Sequence, residues 1–252
     1  MKKSLSLLWL FATVSSVIGV PVVGDDFNSY ANGALVTTSG GIWATHSGTA
    51  GQVDVASGGV NLTTSESEDV NTLLNSAPAT GFLYASFTVN FSVLPNAAGT
   101  YFAHFKDATT GFRDRIWAST ANAASGNFRL GVGNSSAATN ASGQFALDLS
   151  LGTTYTVVTR YNLDSGVSTL WINPLLESDL SVDATDAVGG LANTAFALRQ
   201  STGIGTLVFD NLLVDTTFAG VMSSVPEPST YLMLLGGALM IVLVVRRQQA
   251  LI

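Results

Sequence analysis

The chain has 252 residues, 47% of them hydrophobic and only 11% charged, with 10 Lys and Arg against 17 Asp and Glu, two His and no Cys. A soluble domain usually carries about 25% charged residues, so part of this chain is built for a membrane or a translocation channel. The net charge of −7 and the lack of cysteine exclude disulfide scaffolds, thiolate metal sites, cysteine nucleophiles and a basic nucleic-acid-binding surface.

The chain opens with Met1-Lys2-Lys3 and then an apolar run to Val23, interrupted only by Ser, Thr, Gly and Pro. A positive start, an apolar stretch and small residues near its exit predict a secretory signal peptide over residues 1–24. Cleavage fits after Gly19 or after Gly24. The second exit is preferred, because Val22-Val23-Gly24 ends the apolar run directly before Asp25-Asp26. Pro21 and that acidic start argue against an uncleaved anchor helix.

Residues 25–221 read as one all-β domain. Short alternating or β-branched runs are broken by Gly, Asn, Asp and Ser about every ten residues, the pattern of a sandwich or barrel. Expected strands are 52–55, 60–63, 82–94, 101–107, 113–118, 127–132, 145–147, 154–162, 167–172, 195–200 and 206–214. The segments 131–143 and 175–193 are expected loops. The clearest hairpin joins 154–162 to 167–172 through Asn162-Leu163-Asp164-Ser165-Gly166, where Gly166 can take a positive φ and Asn and Asp can close the turn. Six cations against 16 acids between residues 25 and 225 leave a charge of −10. Such acidity keeps an exported domain soluble and argues against nucleic-acid and anionic-membrane partners.

Chemistry-bearing motifs are scarce. Gly-x-Ser-x-Gly, His-Glu-x-x-His and Gly-x-x-x-x-Gly-Lys do not occur. His46 and His104 read as structural histidines. The best enzymatic candidate is Ser65-Glu66-Ser67-Glu68-Asp69. On a strand, Glu66 and Glu68 would share one face about 7 Å apart, near the separations of glycosidase carboxylate pairs. An exposed acidic loop is the simpler expectation.

The domain starts with Asp25-Asp26-Phe27 and closes with Val208-Phe209-Asp210-Asn211-Leu212, with Thr169-Leu170-Trp171-Ile172-Asn173 late between them. This order resembles a concanavalin A-like (laminin G-like) jelly roll, a fold in which the first and last strands pair in one sheet. The resemblance implies a candidate structural calcium at Asp26 and Asp210, the one cofactor the sequence suggests. Calcium takes six to eight oxygen ligands, and turn-capping is the competing role for both residues. Jelly-roll glycosidases of this superfamily carry Glu-x-Asp-x-Glu or Glu-x-Asp-x-x-Glu, from which Glu66 and Glu68 depart. Trp43, Trp117 and Trp171 are the candidate glycan contacts, although burial in a core is the commoner fate of tryptophan.

The last segment, 222–252, holds Val225-Pro226-Glu227-Pro228-Ser229-Thr230, an uncharged run from Tyr231 to Val245, and Arg246-Arg247 at the head of the tail 246–252. Two prolines flanking one residue keep the spacer extended. The apolar run 231–245 is short against the roughly 20 residues of a spanning helix, and the paired arginines would hold the tail in the cytoplasm. Pro226, Glu227, Pro228, Arg246 and Arg247 in this order resemble the PEP-CTERM protein-sorting domain. That resemblance implies export from a Gram-negative bacterium, transient retention in the inner membrane, and processing by an exosortase near the motif. The product would then be a cell-surface or extracellular protein, in a family that accompanies extracellular polysaccharide. The expected function is a non-catalytic adhesive or glycan-contacting module. The alternative is a polysaccharide hydrolase or lyase using Glu66 and Glu68.

Overall fold

The computed structural model describes residues 21–135 and 138–223. Residues 1–20 of the expected signal peptide and the sorting segment from residue 224 lie outside the described residues. Two antiparallel sheets face each other. The first runs, in spatial order, Ser181–Asp183, Ser168–Ile172, Thr154–Asn162, Phe82–Val93, Thr206–Asp215, Gly59–Thr63, Asp54–Ala56 and Gly33–Ala34. Val23–Asp25 adds to it by pairing with Leu212, Leu213 and Val214, so the first and last strands share this nine-stranded sheet. The second runs Gly143–Gln144, Asn127–Gly133, Phe112–Ser119, Thr100–Lys106, Ala195–Arg199, Asp69–Leu73 and Trp43–Ser47, with Leu149–Ser150 beside Asn127–Gly133. The fold is an all-β jelly-roll-like sandwich.

Period-2 alternation builds the layer between the sheets. Phe87, Val89 and Phe91 from the first sheet meet Phe102, Phe105, Phe128 and Phe196 from the second, all buried. Phe87 stacks on Phe209 at 4.6 Å, and Phe91 meets Phe128 at 4.4 Å. The expected hairpin forms: Gly166 has φ +72°, and Asn162 Oδ1 accepts the amides of Asp164 and Ser165 at 2.9 and 3.0 Å.

Several expectations need correction. Residues 145–147 form no strand; the short pairings fall on either side, at Gly143–Gln144 and Leu149–Ser150. Trp43–Ser47, Asp69–Leu73 and Ser181–Asp183 are strands beyond those expected, the last inside an expected loop. Each mixes polar residues with few β-branched ones, so partners rather than propensity hold them extended.

A second, smaller apolar cluster lies on the outer face of the nine-stranded sheet. Tyr84, Val158 and Trp171 project there and are covered by Phe218 and Val221 of a short helix, Phe218–Met222. Thr217 caps this helix by accepting the Gly220 amide at 3.0 Å.

Candidate functional site

The outer face of the eight-stranded sheet carries the richest set of polar and aromatic groups. Core residues Phe102, Phe105, Ile116, Ala118, Leu130 and Leu198 point inward, which leaves Tyr101, His104, Arg115, Trp117, Arg129 and Arg199 on the other side. Irregular pairing between Tyr101 and Phe105 resets the alternation, so that Tyr101 and His104 share a face despite their odd spacing. Tyr101 lies 5.4 Å from Trp117 and 5.2 Å from His104, ring to ring. The Arg115 guanidinium sits 4.8 Å from the centre of Tyr101 and 5.1 Å from that of Trp117. Arg199 stands 4.5 Å over Tyr101 and donates to Thr100 Oγ1 at 2.8 Å.

Five of the six cations in the described residues lie on strands of this sheet: Lys106, Arg113, Arg115, Arg129 and Arg199. Their partners differ. Arg129 is neutralised by Asp148 at 2.6 Å, and Arg199 is 3.8 Å from Asp69. Burial outweighs Arg199's pull on Asp69 and raises its carboxyl to about 6. Arg115 is only 2% exposed, yet it makes no ion pair with a carboxylate among the described residues. Asp186, whose charge reaches it, is already occupied by the amides of Asn134 and Ser135 and the Ser142 hydroxyl. Arg115 Nε and Nη2, both His104 nitrogens and Trp117 Nε1 are buried with no hydrogen-bond partner among the described residues. Burial first, then His46 and the nearby cations, hold His104 well below the usual imidazole range. His46 falls to about 4 for the same leading reason, with Lys106 adding to it.

Beside this cluster is a cavity of about 350 Å³, lined by Trp117, Arg129, Gly131, Asn122, Asn140 and Gln144 among others. Gly131 pairs with Trp117 across the strands and has no side chain to fill the space beside the ring. A Cβ there would lie 2.6 Å from Ala141 Cβ and 2.7 Å from the Gly143 carbonyl. Asn122 donates to Gln144 Oε1 at 3.0 Å, and Gln144 Nε2 donates to the Ala121 carbonyl at 3.0 Å, fixing both amides at the wall. An aromatic residue, planar amides and the Arg129 guanidinium at one concavity suit a polar, ring-shaped ligand.

The sequence-expected residues fall in different places. Trp117 is on this face. Trp43 is in the sandwich core, donating its indole N–H to Asp25 Oδ2 at 2.8 Å, and Trp171 is beneath the terminal helix, donating to the Glu177 carbonyl at 3.2 Å. Glu66 and Glu68 are not on a strand: Gly59–Thr63 ends before them and Asp69–Leu73 begins after them. Glu68 is fully buried and accepts Thr45 Oγ1 at 2.5 Å and the Gln52 and Val53 amides at 2.7 Å each. Glu66 instead accepts the Thr63 hydroxyl at 3.2 Å. Tyr101 and Arg199 were missed because their partners arrive from distant segments and nothing local marks them.

Asp26 and Asp210 each hold a neighbouring amide, of Asn28 at 3.1 Å and of Asn211 at 2.6 Å. Burial and the charges of Asp26 and Asp25 raise the Asp210 carboxyl. Both oxygens of Asp25 are occupied, by the Phe27 amide and by Tyr30 and Trp43. The second oxygen of Asp26 and of Asp210 accepts no hydrogen bond among the described residues, which leaves a partial donor set for calcium that carbonyls or water would have to complete. Among the described residues no group of three or more His, Cys, Asp or Glu is arranged to hold a metal.

Residues 224–248 match the family described as PEP-CTERM protein-sorting motif. The chain carries a PEP-CTERM sorting motif. That motif implies export and an exosortase partner, with a destination at or beyond the cell surface. No curated protein matches the chain in sequence. Among solved structures, a sialidase superposes with a TM-score of 0.50 at 13% identity, over 80% of this chain and 19% of its own. An alginate lyase from Alteromonas sp. 272 superposes at 0.45 and 12% identity, over 72% and 97% of the two chains. The metal-free lectin I-B4 of Griffonia simplicifolia gives 0.46 at 10% identity, over 72% and 96%. The likeness to the sialidase is one of fold alone.

Proposed function

We propose that the sandwich is a non-catalytic module of a cell-surface or extracellular-matrix protein, and that it holds an acidic polysaccharide against the outer face of its eight-stranded sheet. The observation that carries this reading is Arg115. A buried cation without an anion is unfavourable unless something compensates it. In a domain of charge −10, compensation by a surface acid would have been easy to supply, yet this guanidinium rests against the rings of Tyr101 and Trp117, and Trp117 in turn lines the cavity. A sugar ring entering the cavity would meet Trp117, and the uncompensated guanidinium beside the indole would favour a carboxylate on the sugar through its field. The sorting motif supplies the setting: an exported domain released near extracellular polysaccharide, after transient retention in the inner membrane. Glu68's three hydrogen bonds to its own chain support a structural rather than an acid–base role for that carboxylate. A structural calcium between Asp26 and Asp210 would tie the first turn to the last strand within the nine-stranded sheet.

Binding of residues 21–223 to a polyuronate and to a neutral glucan, each at low and high salt, tests the reading. The expected result is salt-sensitive binding to the polyuronate, lost in Arg115→Gln. Equal affinity for the neutral glucan would overturn the acidic ligand, and no binding to either would overturn the module itself. Release of unsaturated oligosaccharides during the incubation would replace the non-catalytic reading with a lyase.

A further inference from the structure

Three of the most exposed large apolar residues lie within six positions: Leu175 at 82%, Leu176 at 62% and Leu180 at 78% exposure. Single exposed leucines need no explanation, but a cluster held outward does. This one is held. Asp179 Oδ2 accepts the amides of Leu175 and Leu176 at 2.7 and 2.9 Å, closing a tight turn around them. Glu177, between the leucines, is fastened to the outer face of the nine-stranded sheet. Its carboxylate accepts the Tyr84 hydroxyl at 2.6 Å and Arg160 at 3.1 Å, and its carbonyl accepts the Trp171 indole at 3.2 Å. Phe82, 38% exposed, extends the apolar surface beside Tyr84 and under the Arg160 guanidinium.

The same two rings carry the end of the domain. Phe218 packs on Tyr84 at 6.3 Å and on Trp171 at 5.8 Å. The chain therefore leaves the domain beside the leucine turn. Only residues 224–230 separate the helix Phe218–Met222 and Ser223 from the apolar run that begins at Tyr231. Seven residues span at most about 25 Å even fully extended.

We infer that Leu175, Leu176, Leu180 and Phe82 are a lipid-contacting surface, which lays the outer face of the nine-stranded sheet on the bilayer while the precursor is held by its sorting segment. The tether keeps this face at high effective concentration near the lipid, so a patch too small to bind alone can still engage. The eight-stranded sheet is on the other side of the sandwich. Contact at the leucines therefore turns Trp117 and Arg115 away from the membrane, toward the cell exterior. After cleavage the tether is gone and the patch no longer holds the domain to lipid, which makes release follow from processing.

The native chain has no cysteine, so single labels are clean. The full chain is placed in zwitterionic phosphatidylethanolamine–phosphatidylcholine vesicles, so that the acidic domain is not repelled, with an environment-sensitive fluorophore on Leu176→Cys or, separately, on Leu73→Cys. Leu73 is 68% exposed on the other sheet. The expected result is a blue shift at position 176 and several-fold stronger quenching by nitroxide lipids than at 73. Replacing Leu175, Leu180 and Phe82 by Ser in the Leu176→Cys chain should abolish the difference. Equal quenching at the two positions would overturn the inference. So would a blue shift at 176 that appears in lipid-free detergent and grows with protein concentration, since that would mean a second copy covers the patch.

Discussion

Asp114 is 1% exposed and points between the sheets, from a residue with φ +53°. Thr159 Oγ1 lies 2.7 and 2.8 Å from its two oxygens and 3.2 Å from the Thr169 carbonyl. One hydroxyl has one proton and cannot serve three acceptors. A protonated Asp114 resolves this, donating to Thr159 Oγ1 while Thr159 donates to the Thr169 carbonyl. Burial raises the carboxyl from 3.8 to about 7, against the opposing hydrogen bonds of Thr159 and Ser168 and the attraction of Arg160. Between those values the folded state keeps a proton that the unfolded state releases. The stability that Asp114 contributes is therefore complete below the unfolded value and is lost as pH rises through the window to about 7. A shift of about three units corresponds to about 4 kcal/mol at most. Asp114→Asn keeps a donor and removes the titration, so the variant should gain on the native protein by up to that amount between about pH 4 and about pH 8. Urea denaturation of both domains at the two pH values measures the gain. His46 and His104 have lowered values and contribute the opposite slope, but they cancel in the difference between the two proteins. Parallel pH profiles would refute the protonated carboxyl.

Glu68→Ala leaves the Gln52 and Val53 amides without their acceptor and should cost about 3 kcal/mol in urea denaturation, at about 1–3 kcal/mol per orphaned buried group. Val22 and Val23 are buried and Val23–Asp25 pairs with the last strand; N-terminal sequencing of the exported protein should find the cut after Gly19, since a cut after Gly24 discards this strand. Chelation should lower the melting temperature of the native domain and not of Asp210→Asn, because a ligand of the folded state stabilises by mass action; no shift would leave Asp26 and Asp210 as turn caps. Replacing Pro226, Glu227 and Pro228 by Ala should leave an uncut, membrane-bound precursor on a blot of cell and medium fractions, and replacing Arg246 and Arg247 by Glu should disturb retention.

The fold was legible wherever burial on one face produced alternation. Thr154–Asn162 shows this: Val157 and Tyr161 go to the main core and Val158 to the outer cluster, as their parity requires. It was not legible at Asp69–Leu73, where Asp69, Asn71 and Thr72 dilute the apolar signal and the strand is fixed by neighbours on both sides. The candidate site was legible only at Trp117. Arg115 looked like any surface arginine in sequence, because its lack of an anion is a property of three-dimensional surroundings. Glu66 and Glu68 misled for the converse reason: spacing two places a pair on one face only if the segment is a strand, and Glu68's bonds to the 52–53 backbone bend it away.

The indole N–H resonances of residues 21–223 test the central claim directly. Trp43 and Trp171 donate to Asp25 and to the Glu177 carbonyl, whereas Trp117 Nε1 has no partner among the described residues. Titration with a short polyuronate should shift the Trp117 resonance saturably and leave the other two in place, and Arg115→Gln should abolish the shift. A Trp117 signal that stays fixed while the ligand binds, or a shift confined to Trp171, would place the glycan elsewhere and contradict the account.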